Sequence, residues 1–73
     1  MQYKLVCFVT MSSEKGGYRK EVPFNVDNPT EARQWVDDIA KEGVKTVFKG
    51  KRVHLHIRPI KLFAVQERLL ESY

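Results

Sequence analysis

Residues 44–58 read Val-Lys-Thr-Val-Phe-Lys-Gly-Lys-Arg-Val-His-Leu-His-Ile-Arg. From Arg52 onward polar and apolar side chains alternate strictly, the period of a strand with one covered face. Gly50-Lys51 fits a two-residue turn, with glycine where a type II′ turn needs positive φ. In that register Lys49 faces Arg52, Val47 faces His54 and Lys45 faces His56. The opposite face holds Val44, Thr46 and Phe48 against Val53, Leu55 and Ile57. One side of this hairpin is therefore core, and the other is a basic and imidazole surface.

The segment just before it reads as a helix. Asn28 is a good N-cap, Pro29 suits the first helical position, and Glu31 sits where a capping acid belongs. Ala32, Trp35, Val36, Ile39 and Ala40 form one apolar stripe at helical spacing, and Gly43 is a natural terminator. The spacing predicts a helix over 29–42.

Further out, Tyr3 to Met11 predicts a strand rich in residues that favour a pleated surface. Tyr3, Leu5, Cys7 and Val9 lie on one side and Val6 and Phe8 on the other, so the strand should be central or covered on both faces. A polar, glycine-ended connection at 12–17 leads to a second strand, Tyr18 to Val26. Pro23 lacks a ladder donor and places that strand at an edge. Lys4 followed by Leu5 to Met11 superficially imitates a signal peptide, but the apolar run is short and no small-residue cleavage site follows.

The C-terminal residues fit two readings. From Pro59-Ile60 to Gln66, Lys61, Phe63 and Val65 alternate with Ile60, Leu62 and Ala64, as in a strand. Over 60–72, Leu62, Val65, Gln66, Leu69 and Leu70 also form a helical stripe behind Pro59. The expectation is a short strand leading into a final helical turn or short helix. The whole is α+β: an antiparallel sheet with one main helix, order β-β-α-β-β followed by a short strand and/or C-terminal helix. With 73 residues the chain makes a single domain, 1–73.

Charge is distributed unevenly. The net charge is +4, yet residues 1–42 hold six bases and seven acids. Between Glu42 and Glu67 there is no acid and there are six bases: Lys45, Lys49, Lys51, Arg52, Arg58 and Lys61. With His54 and His56 these form the candidate site, since clustered cations attract phosphate whatever the base sequence, and a two-stranded ribbon fits a B-DNA major groove. An acidic protein surface satisfies the same charges. A solvated face that merely discourages edge pairing is the competing reading. The segment has no interleaved aromatics, so a stacking platform is not expected.

Other chemistries find little support. His54 and His56 share a face but have no third ligand and cationic neighbours, so no metal site is expected. Cys7, the lone cysteine, has an apolar setting that predicts a buried, inert thiol. No carboxylate pair, nucleophile–base set or phosphate loop is legible, so catalytic residues and cofactors are expected to be absent. Lack of disulfides points to the cytoplasm, and no run is long enough to cross a bilayer. The expectation is a small non-enzymatic accessory or regulatory protein, microbial or phage in type. It would bind nucleic acid through the hairpin face, or else act as a protein-interaction module or inhibitor that docks an acidic partner or pairs by a strand edge. Either a monomer or a homodimer fits.

Overall fold

The structure, a computed structural model, describes residues 1–11 and 16–73, so Ser12 to Lys15 of the expected first loop lie outside it. Strand β1 (Gln2–Met11) is central. It pairs antiparallel with β2 (Gly17–Asn25) on one side and with β4 (Lys51–Phe63) on the other. β2, which carries Pro23, is an edge strand, where a missing ladder donor costs least. On its far side β4 pairs with β3 (Val44–Phe48) through its first half and with β5 (Leu69–Ser72) through its last residues. The sheet thus runs β2-β1-β4, with β3 and β5 sharing the outer edge of β4.

Helix α1 (Pro29–Glu42) covers one face of this sheet, and its start is built as its sequence implies. The Asn28 side chain accepts a hydrogen bond from the Glu31 N–H at 2.9 Å. The Glu31 carboxylate accepts from the Asp27 N–H at 3.2 Å, one residue earlier than in the usual capping box. The core beneath α1 joins Tyr3, Leu5, Cys7 and Val9 of β1 to Ala32 and Val36 of the helix and to Ile57 and Leu62 of β4. Burying a side chain such as Leu5 or Leu62 stabilises by about 1.5–3 kcal/mol relative to exposure. An aromatic stack extends this core sideways, with Phe24 lying 3.9 Å from Trp35 between ring centroids at 11° and 5.8 Å from Tyr3. Ala40, at the end of the helical stripe, is exposed. On the opposite face Val6 is buried too, between its neighbours on β2 and β4, so the middle of β1 is apolar on both sides.

The second hairpin turns one residue earlier than its sequence suggests. Phe48 pairs with Lys51, so Lys49-Gly50 forms the turn, with φ of +51° and +77°. Two positive φ values correspond to a type I′ turn, whose twist matches that of the strands. Lys45 consequently pairs with His54, not His56, and Val47 with Arg52. The slide along β4 is two residues, an even number, so every side chain keeps its expected face.

The C-terminal segment meets its expectation in part, with a strand and a helical turn but no full helix. β4 does not end at Arg58 but continues through Pro59 to Phe63, and no final helix forms. Val6 pairs with Lys61 and Cys7 with Pro59, leaving Ile60 as an extra residue in a β-bulge. The bulge turns Leu62 inward against Leu5, where it is completely buried. A helix over 60–72 would forfeit that placement. After a single 3-10 turn at Val65–Glu67, closed by a 2.7 Å bond from the Ala64 N–H to the Arg68 carbonyl, β5 returns along β4. Arg33 Nε of α1 donates to Glu71 of β5 at 2.7 Å, tying the tail to the helix side.

Candidate nucleic-acid interface

Strand pairing decides which cations share a surface. Direct partners project to one side, so Lys45, Arg52, His54, His56 and Arg58 occupy the outer face, turned away from α1. Simple alternation along β4 would send Lys61 to the opposite side from Arg58. The bulge at Ile60 resets the phase, and Lys61, paired with Val6, joins the outer face. All of these side chains are exposed except His54, which is half-buried. The tail leaves this face open over the basic residues, because β5 runs along the edge instead of crossing it.

Lys49, expected on the face, sits differently, while Lys51 stays at the tip where it is expected. Lys49 lies in the turn, with its ammonium 5.3 Å from the Phe48 ring centroid. Lys51 pairs with Phe48 and so falls on the α1 side of the hairpin. Both cations belong to the exposed tip and not to the face.

His54 has a structural partner. Its Nε2 lies 2.8 Å from the carbonyl oxygen of Glu42, one of the unpaired carbonyls at the end of α1. With a proton on Nε2 the ring donates to that oxygen. The ring also fills the space beside Gly43, where a β-carbon would lie 2.4 Å from Nε2. The His56 ring lies next to it at 4.9 Å between centroids, tilted by 31°, and remains exposed.

The acids of this face gather elsewhere. Lys4 Nζ lies 3.1 Å from Glu21 and 3.2 Å from Glu67, at the end of the sheet far from the hairpin tip. The hydrogen bonds that the Lys4 ammonium donates to these two carboxylates, Glu21 first, hold it above its ordinary pKa. Among the described residues the ion pairs are these two and Arg33–Glu71, so Lys45, Arg52, Arg58 and Lys61 take part in none.

Arg19 and Phe8 share this face, although the hairpin sequence gives no hint of them. Phe8 pairs with Arg19 on β2 and with Arg58 on β4, so the three residues occupy one row on the same face of the sheet. The readable signal was non-local: it required knowing that β4 lies beside β1. Gly17 matters here, since a β-carbon on it would lie 2.7 Å from Phe8 Cε2. The Phe8 ring therefore reaches across the bare backbone of β2. Phe8 thus adds an aromatic to this face from β1, outside the basic hairpin itself.

Cys7 is fully buried and its thiol approaches the Lys20 carbonyl at 3.6 Å. Burial pushes its pKa up, which disfavours the reactive thiolate. On the α1 side, the sheet extends beyond the helix as an apolar cleft of about 500 Å³ lined by Val9, Met11, Tyr18, Phe48 and Leu55 among others. Among the described residues no helix is long and apolar enough to cross a membrane. Compared with known proteins, the chain matches no family, no curated protein and no solved structure.

Proposed function

We propose that this chain is a non-enzymatic accessory or regulatory protein of the cytoplasm that binds nucleic acid through the outer face of its sheet. The observation that carries the reading is the separation of charge on that face. Glu21 and Glu67 are drawn to Lys4, while Arg19, Lys45, Arg52, Arg58 and Lys61 stand exposed on the same side of one sheet. Such an arrangement releases counterions when it meets a phosphate backbone, and each phosphate neutralised steepens the salt dependence of binding. A fluorescence titration of labelled DNA and RNA at low salt tests it. Wild type binds, and the double reversal Arg52→Glu/Arg58→Glu abolishes binding while the fold is retained. If no form of nucleic acid binds at low salt, the reading is wrong.

A second reading rests on the apolar cleft. Val47 is 66% exposed and Phe48 45% exposed at its rim, with Lys49 and Lys51 beside them. An acidic protein segment with apolar anchors fits that surface, and self-association through it gives a homodimer. Recovery of one stoichiometric protein after nuclease treatment, lost on Phe48→Asp, would favour this reading over the first.

A further inference from the structure

We infer that the outer face takes single-stranded nucleic acid, with one base stacked on Phe8 and the flanking phosphates held by Arg19 and Arg58. The inference rests on the nucleic-acid reading above and narrows it. Phe8 lies in register with both arginines, one on each neighbouring strand. Its ring crosses the backbone at Gly17, the residue whose missing β-carbon leaves room for it. The ring is half-buried and keeps part of its surface in solvent, and since every base has a π-face a stack on it is tolerant of sequence. Bases inside a duplex are stacked on one another and present no face to it.

Dimensions argue the same way. At the level of Phe8 and Arg58 the sheet is three strands wide, β2, β1 and β4. Three strand axes span about 10 Å before side chains are added, and a major groove is only about 12 Å wide. A groove therefore admits the two-stranded tip, with Lys45 and Arg52, but not the part of the face that holds Arg19, Phe8 and Arg58. A flexible single strand lies across all of it.

The test is a fluorescence anisotropy titration, at one low salt concentration, of oligodeoxythymidine, oligouridine and a DNA duplex of equal length. Wild type is expected to bind the single strands about tenfold or more tightly than the duplex, and the DNA and RNA arms show which sugar is preferred. Phe8→Leu is expected to lose about tenfold on single strands with little change on the duplex, and Phe8→Tyr to keep wild-type affinity. A folded Phe8→Leu that binds single strands like wild type, or a duplex bound as tightly as the single strands, overturns the inference and leaves the broader reading standing. Absence of binding to all three probes overturns both. Should Phe8→Leu not fold, NMR of the wild type decides: Phe8 ring resonances shift upfield on saturation with oligodeoxythymidine, and unmoved resonances overturn the inference.

Discussion

The Nε2 of His54 lies 2.8 Å from the carbonyl oxygen of Glu42, so a side chain of the basic hairpin caps the end of the only α-helix among the described residues. This contact separates two histidines that look alike in sequence. His54 holds α1 and β4 together, whereas His56 is exposed beside it. Removing the His54 ring leaves a carbonyl without its partner and empties the space beside Gly43. His54→Ala should therefore cost about 1 kcal/mol, and His56→Ala less than about 0.5 kcal/mol. Urea denaturation of the two variants checks this, and equal costs would show that the Glu42 contact stabilises nothing.

The Lys49-Gly50 turn invites a stabilising change. Lys49 has φ of +51°, a conformation that asparagine adopts more readily than lysine, and Asn-Gly is the favoured type I′ pair. Lys49→Asn should raise stability by about 0.5–1 kcal/mol. A melting temperature raised by several degrees is the expected result. A fall would point to the Gly50-Lys51 turn instead, in which residue 49 is not in the left-handed region.

Three groups give the protein a common response to alkali. Carboxylates beside Lys4 raise its pKa above the ordinary 10.5, burial raises Cys7 above 9.0, and burial followed by the Asp37 and Glu71 carboxylates raises Tyr73 above 10.0. Each group holds its proton more tightly in the folded chain than in the unfolded one. The contribution of buried Cys7 is complete below its unfolded value and is lost as pH rises through the folded one, while solvent screens those of half-buried Lys4 and exposed Tyr73. Denaturation midpoints measured at pH 7, 9 and 10.5 should be level over the first interval and fall over the second. In the same series, iodoacetamide should label Cys7 slowly in the native protein and quickly in denaturant.

How far the sequence could be read depends on how local each signal is. The helix over 29–42 was legible because its cap, its apolar stripe and its terminating glycine all lie within sixteen residues. The basic face was legible despite the wrong turn, since the register error was even and left Lys45, Arg52, His54, His56 and Arg58 on one side. The bulge at Ile60 was not legible. It arises because Leu62 must meet Leu5, a partner 57 positions away, and it reverses the phase of Lys61 and Phe63 relative to Arg58. The helical stripe through Leu62, Val65, Leu69 and Leu70 was a local pattern that lost to this distant packing. Arg19 and Phe8 were missed for the same reason, because their neighbourhood with Arg58 exists only once β4 is laid against β1.

The measurement that bears most directly on the proposed binding face is the salt dependence of its affinity. Labelled single-stranded DNA is titrated with wild type and with Arg58→Gln between 50 and 200 mM salt. With five exposed cations on the face, log K should fall linearly with log salt at a slope of about −3.5, and Arg58→Gln should make the slope shallower by about 0.7. Binding that is absent at 50 mM salt, or that has the same slope in the variant as in the wild type, would contradict it.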